Sequence, residues 1–282
     1  MRIDPRRLIT RRNFLLCGAG ASMGVAGGAT FARMESKWLR TTFKKISGLG
    51  LAQPLRVLHL SDFHASWCVP WKQIRESVEM GLAEKPDLVL LTGDYVSTRK
   101  DKIDGYPEAL APLAGHPHSF AVFGNHDWKY YPEGSRARQI EAKMAEAGVR
   151  CLVNQMVELD VRGTAVRIAG LGDLWRHEAL PEQCLRPAGE DGPLTLLLAH
   201  NPDTKELVES YAWDVMFSGH THGGQVVVPW LRWAPVLPVD DRSMVAGIYP
   251  WKGRHIHITR GVGCLHGIRF ACPPEVSIID LS

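Results

Sequence analysis

Short, dense apolar runs recur along this chain of 282 residues: Val57-Leu58-His59-Leu60, Leu88-Val89-Leu90-Leu91, Phe120-Ala121-Val122-Phe123, Leu194 to Ala199 and Val215-Met216-Phe217. Runs of this length, rich in Val, Leu and Phe, predict strands buried on both faces. Helices are predicted around 70–83, 104–114 and 133–147, between the early strands, and Gly148 suits the position just past the last of them. After it the pattern changes to short alternating strands, Met156 to Val161 and Thr164 to Ala169. The segments 225–228, 245–249, 254–259 and 275–281 also read as strands. Strand–helix–strand units first and mostly strands afterwards predict an α/β fold in which two sheets pack together with helices outside.

The N-terminal part follows another pattern. Trp38, Leu39, Phe43, Ile46 and Leu49 fall near helical spacing, with Lys37, Arg40, Lys44 and Lys45 around them. This predicts a basic amphipathic helix, lying either on an anionic membrane surface or on the body of the protein. Upstream, Arg11-Arg12-Asn13-Phe14-Leu15-Leu16 precedes a Gly/Ala-rich stretch over 17–29, short and slight for a membrane span. Together these features resemble a twin-arginine export signal. The resemblance implies the twin-arginine export machinery as a partner and a periplasmic or membrane-associated location. A retained leader at the inner face of the cytoplasmic membrane is the alternative. The expected division is a leader over 1–33, a basic linker or helix over 34–53 and one catalytic domain over 54–282.

Charge follows the same division. Residues 1–50 hold ten Lys/Arg and two acids, a net +8, whereas the remainder nets −5 within an overall +3. A mildly acidic body lacks the clustered cations that phosphate backbones need, so no nucleic-acid partner is expected. Six cysteines without C-x-x-C spacing argue against a structural zinc finger. Cys264 and Cys272 are expected as buried thiols, with a disulfide in an oxidising compartment as the alternative. A monomer is expected.

Polar clusters stand where the apolar runs end: Asp62-Phe63-His64, Gly93-Asp94, Gly124-Asn125-His126-Asp127, His200-Asn201-Pro202 and Gly219-His220-Thr221-His222-Gly223-Gly224. Taken singly, most have a plainer reading as a turn, a strand-end hydrogen-bonding pair or a capping histidine. In this order, at the ends of rigid strands, they predict convergence on one metal centre.

The ordered set resembles the calcineurin-like metallophosphoesterases, in particular bacterial exported phosphodiesterases close to UDP-2,3-diacylglucosamine pyrophosphatases. The resemblance implies a four-layer α/β/β/α sandwich. It implies a first metal held by Asp62, His64, Asp94 and His222, and a second held by Asp94, Asn125, His200 and His220, with Asp94 bridging. It puts His126 beside the scissile phosphate, with Asp127 orienting its ring. Asp173, after a further strand, is a candidate to face the same centre, and His59 is read as strand packing.

Imidazole, carboxylate and amide-oxygen donors suit manganese, iron, cobalt, nickel or zinc, with manganese favoured here. Two divalent ions about 3.5–4 Å apart can clamp the attacking and leaving oxygens of an in-line displacement and acidify a shared water. The implied activity is hydrolysis of a phosphate ester or anhydride by metal-activated hydroxide. His126 would steady the phosphoryl charge and serve the leaving oxygen. Apolar loops beside the motifs, Trp67-Cys68-Val69-Pro70-Trp71 and Val226 to Leu237, point to a lipid-linked substrate or a membrane contact. Hydrolysis of the nucleotide-linked glycolipid UDP-2,3-diacylglucosamine, as in lipid A biosynthesis, and broad exported phosphoesterase action are the alternatives. A non-catalytic scaffold would have been free to lose ligands that this chain keeps.

Overall fold

The computed structural model describes residues 27–98, 100–129, 135–189, 192–228, 230–231 and 233–282. The paired arginines at 11 and 12 and most of the Gly/Ala stretch lie outside the described residues. Among the described residues, no helix is long and apolar enough to cross a membrane.

Two mixed sheets form the body. The first runs β1 (Arg40–Ile46), β12 (Glu275–Leu281), β2 (Leu55–Leu60), β3 (Leu88–Thr92), β4 (Ser119–Val122), β5 (Arg150–Cys151). The second runs β10 (Gly247–Trp251), β11 (Arg254–Ile258), β9 (Val215–Ser218), β8 (Leu194–Leu198), β7 (Thr164–Gly170), β6 (Gln155–Val161). Strands β2 to β5 are mutually parallel, as are β7, β8, β9 and β11, so the polar clusters that follow them emerge at one end of each sheet.

The side-chain period of two sorts the apolar runs into layers. Leu55, Val57, Leu88 and Leu90 pack between the sheets against Val166, Ile168, Leu196 and Phe217. Leu58, Leu60, Val89 and Leu91, one position along, pack under α2 (Trp71–Ala83), α3 (Tyr106–Leu110) and α5 (Ser135–Glu146). The outer face of the second sheet, with Leu197, Met216 and Ile256, is covered by Leu185, Val208 and Trp213. This fourth layer is thin, built from loops, a 3-10 turn at Pro181–Gln183 and the single turn α6 (Thr204–Leu207). Each fully buried Leu contributes about 2 kcal/mol by area. The strand ends are therefore fixed by the core, not by the loops they carry.

Three expectations are corrected. Residues 40–46 are not helical: β1 pairs in parallel with β12, from Arg40↔Glu275 to Ile46↔Leu281. The run Thr41-Thr42-Phe43 suits a strand. The Glu275 carboxylate accepts from Lys44 Nζ at 2.6 Å and from Thr42 Oγ1 at 2.6 Å, which draws the segment onto the sheet edge. Among the described residues before β1, helix covers 27–35, here α1. Residues 225–228 make only single bridges, Val226 to Phe270 and Val228 to Trp233, because Gly223, Gly224 and Gln225 all turn through positive φ. The helix expected over 104–114 breaks into α3 and a 3-10 turn at Ala111–Leu113, where Pro112 lacks an N–H. Cys264 and Cys272 are buried free thiols.

One polar pair lies inside the inter-sheet layer. His59 Nδ1 meets His257 Nδ1 at 2.8 Å, and His59 Nε2 meets Thr92 Oγ1 at 2.9 Å, with both rings fully buried. A proton on only one Nδ1 satisfies the contact, and burial disfavours charge on either ring. Burial lowers both, His257 to about 3. Between that value and the ordinary value near 6.5 the unfolded chain binds more protons, so stability is full above 6.5 and is lost as pH falls toward 3. Urea unfolding free energies are expected to drop by up to about 1.4 kcal/mol per pH unit per histidine on acidification. A His59→Leu/His257→Leu chain should show a shallower slope between pH 6.5 and 4.5; equal slopes would contradict this account.

Candidate metal centre

The five clusters meet where the two sheets open. The end of β2 delivers Asp62 and His64, and that of β3 delivers Asp94. The turn from β4 into α4 (Asn125–Lys129) delivers Asn125 and His126. The ends of β8 and β9 deliver His200, His220 and His222. Asp62, His64, Asp94, His220 and His222 all adopt left-handed backbone, with φ of 53, 46, 56, 68 and 52°. Such backbone costs about 1–2 kcal/mol per non-glycine residue. The cost is concentrated on residues whose side chains turn inward together. Neighbouring glycines make room: a Cβ on Gly124 would stand 2.2 Å from Asp94 Oδ1, and one on Gly219 would stand 2.2 Å from Asp62 Oδ2.

Two groups of ligand atoms result. Asp62, His64, Asp94 and His222 have donor atoms within 4.8 Å of one another, and so do Asp94, His200 and His220. Asp94 belongs to both. Its Oδ2 lies 3.4 Å from His64 Nε2 and 3.3 Å from His200 Nε2. His222 Nε2 lies 3.4 Å from Asp62 Oδ1 and 3.0 Å from His64 Nε2. His220 Nδ1 lies 3.2 Å from His200 Nε2. Asn125 stands at the turn next to Asp94, and its Oδ1 is a buried acceptor with no hydrogen-bond partner.

The far ring nitrogens fix the tautomers. A carbonyl oxygen can only accept, so the nitrogen facing it carries the proton. His64 Nδ1 donates to Val96 O at 3.2 Å and His200 Nδ1 to Thr92 O at 2.6 Å, which turns Nε2 of each toward the centre. His220 is reversed: Nε2 donates to Pro238 O at 2.7 Å, leaving Nδ1 bare. The nitrogens turned away from these carbonyls are the ones that converge. His222 differs, because its Nδ1 faces Arg269 Nη2 at 3.5 Å. Arg269 is fully buried and donates to the carbonyls of Arg260, Gly263, His222 and Cys272, clamping the chain behind that histidine.

His126 stands apart from both groups. Its ring is 5.0 Å from that of His64, and its Nδ1 donates to Ser97 O at 3.0 Å, leaving Nε2 for the cleft that the residue lines. The orienting role expected of Asp127 is therefore corrected. Its carboxylate accepts from the backbone N–H groups of Gly124, Asp94, Tyr95 and Val96 at 2.8 to 3.3 Å, and so ties the β4 turn to the β3 turn. Burial and the Asp94 charge push Asp127 up, to about 8, against these amide donors.

The donor set fits divalent metal. Burial pushes His64 and His220 down to about 3 and His222 well below its ordinary value, so all three are neutral, the form that ligates. At His200 burial is outweighed by Asp94, Asp62 and Asp173, which lift it to about 10. At Asp94 burial is outweighed by His200, His126 and His64, which hold it ionised. Without metal, His200 thus holds a proton on Nε2 as well, which a bound cation would displace, and its positive charge answers the Asp94 carboxylate. Left-handed backbone, ring nitrogens 3.0 to 3.2 Å apart and an unpartnered amide oxygen are all accounted for by cations at this centre.

A cleft of about 450 Å³ opens from the ligands. Its polar end is Asp94, Asn125, His126, His220 and His222; its apolar end includes Val226, Pro235, Val236, Leu265 and Ile268. Trp175 joins the two, with its ring edge-on to His220 at 4.5 Å. Asp173 is buried just before it. One carboxyl oxygen accepts from Arg176 N at 3.0 Å, and the other is buried without a partner. The orienting carbonyls and Trp175 had no signature in the sequence, since any residue supplies a carbonyl and a lone Trp at a loop is common.

The family described as calcineurin-like phosphoesterase matches residues 55–224. Phosphodiesterase YaeI of Escherichia coli is 37% identical over 277 residues, covering 97% of this chain and 100% of YaeI. UDP-2,3-diacylglucosamine pyrophosphatase LpxG of Chlamydia muridarum is 26% identical over 281 residues, covering 80% of this chain and 83% of LpxG. Metallophosphoesterase YkuE of Bacillus subtilis is 27% identical over 294 residues, covering 100% of this chain and 99% of YkuE. With every strand-end cluster from Asp62 to Gly224 inside the matched span, the chain belongs to the calcineurin-like phosphoesterase family, a family of metal-dependent phosphoester hydrolases.

Proposed function

We propose that this hydrolase cleaves a phosphodiester or phosphoanhydride with one apolar, lipid-like arm. Two divalent ions would be held by Asp62, His64, Asp94 and His222 and by Asp94, Asn125, His200 and His220; manganese is the ion we favour for this oxygen- and nitrogen-rich set. The observation that carries the reading is Asp94 Oδ2, one carboxylate oxygen 3.4 and 3.3 Å from imidazole nitrogens of two different ligand groups. Bound there, the ions supply the charge that polarises a phosphate and acidifies water.

The chain's own residues do the rest. Asp94 offsets the repulsion between two close cations. His126, pinned by the Ser97 carbonyl, presents Nε2 to the phosphoryl oxygens and the leaving group. Trp175 and the apolar wall around Val226 and Leu265 exclude water and accept the apolar arm. The relative LpxG, by its name a UDP-2,3-diacylglucosamine pyrophosphatase, supports an acylated, nucleotide-linked substrate. The relative YaeI, by its name a phosphodiesterase, supports a broader diesterase as the second reading.

Manganese-loaded protein should turn over bis-p-nitrophenyl phosphate and, in detergent, UDP-2,3-diacylglucosamine, with the corresponding monoester slower by about tenfold or more. Turnover of the simple diester alone would leave only the broader diesterase. A preference for the monoester would overturn the proposal.

A further inference from the structure

We infer that the rim of the cleft is a docking surface for an anionic phospholipid bilayer, with the mouth of the metal centre facing the lipid. The most exposed large apolar side chains gather there. Trp230 is 92% exposed, Leu231 72% and Val236 74%. All three belong to the loop that follows the last ligand cluster. Val228 N–H donates to Trp233 O at 2.9 Å and Leu231 N–H donates to Val228 O at 3.2 Å, which folds the loop back on itself with Trp230 and Leu231 at its tip. Pro235 and Val236, just beyond, line the cleft.

Leu265, His266 and Ile268 line the same cleft, and a second exposed aromatic stands beside this segment. A Cβ on Gly267 would stand 3.8 Å from the ring of Trp67, which is 85% exposed. Helix α1 completes the rim. Phe31 packs edge-on against Phe270 with centroids 5.9 Å apart, and Ala32 O accepts from Arg269 N. The Glu35 carboxylate accepts from the N–H groups of Ala271 and Cys272, both at 2.9 Å. This seats α1 with Phe31 and Met34 exposed. By contrast, Met156, Leu180 and Leu207 are less exposed, at 38 to 42%, and lie in separate elements and loops.

A bilayer is the occupant that fits. Aromatic and aliphatic tips beside cations are the signature of interfacial binding. Arg33, Lys37 and Arg40 are exposed along α1 and its exit, with the Arg40 guanidinium 4.6 Å from the Trp38 ring. The chain before residue 27 joins the body at this rim, and its sequence is basic and then apolar, from Arg11-Arg12 through Phe14-Leu15-Leu16 to Val25. A lipid-linked phosphate could then enter the cleft without crossing water. That use depends on the hydrolase reading above; the surface itself does not.

The test uses the full chain and phosphatidylglycerol vesicles brominated in their acyl chains. All nine tryptophans lie at or after Trp38, so a leader resting on the vesicle contributes no signal and quenching reports the body. Tryptophan fluorescence should be quenched. In a Trp230→Ser/Trp233→Ser chain the quench should fall by about half or more, with turnover of soluble bis-p-nitrophenyl phosphate unchanged. Trp230→Ser alone, at a side chain outside the core, should show a smaller loss of the same sign. Equal quenching in all three chains would overturn the surface. So would absent quenching in the unsubstituted chain together with self-association that the double variant loses, which would make a second copy the occupant. If no diester is turned over but quenching follows this pattern, the hydrolase reading fails and the docking surface stands.

Discussion

Asp94→Asn is expected to lower turnover by about a thousandfold or more and to reduce bound metal from two ions per chain to one or none. Asp94 is the one side chain present in both ligand groups, so its loss is not confined to one ion. The amide keeps the volume but removes the charge that holds two cations together, and it sets an N–H₂ where an oxygen meets His64 and His200. The remaining amide oxygen, in the place of Oδ1, still accepts from His126 N, a 2.9 Å bond in the native chain, so the β4 turn should stay in place. His64→Ala, which strips one ligand from one group, should cost less, about 10- to 100-fold in affinity for a single ion. Elemental analysis of the purified variants, with bis-p-nitrophenyl phosphate kinetics, checks both. Full metal content in Asp94→Asn would remove the shared-ligand assignment.

His126→Ala separates binding from chemistry. The residue belongs to neither ligand group, and the Ser97 carbonyl holds its ring from behind. Metal content should be that of the unsubstituted chain, and kcat should fall by about 10²- to 10⁴-fold, the range for loss of a positioned proton donor. KM should change little, since the apolar wall that grips the substrate is untouched. Unchanged kcat would deny His126 any part in the reaction, and loss of metal would make it a ligand.

The parts of this architecture that were legible in the sequence were those decided by local chemistry. Strands β2, β3, β4, β8 and β9 announce themselves because a strand buried on both faces must be apolar throughout, and their ends carry the acids, amide and imidazoles. Strand β1 was hidden. Its Phe43 and Ile46, with Trp38, Leu39 and Leu49 on either side, also fall near helical spacing, and its partner, β12, is at the other end of the chain. Only tertiary structure shows Lys44 reaching the Glu275 carboxylate. The part played by Asp127 is hidden for a related reason. Adjacency to His126 suggested a side-chain pair, but on the first turn of α4 the carboxylate points back to four backbone N–H groups that the sequence does not display. The same holds for the carbonyls of Val96, Thr92, Ser97 and Pro238, which select the ring nitrogen each histidine exposes.

Two cations sharing Asp94 are central to the proposed chemistry, and anomalous scattering from manganese-soaked crystals of the chain tests for them most directly. Two peaks about 3.5–4 Å apart are predicted, one among Asp62, His64 and His222, the other among Asn125, His200 and His220, with Asp94 Oδ2 between them. A single peak, or two peaks that do not share Asp94, would contradict it.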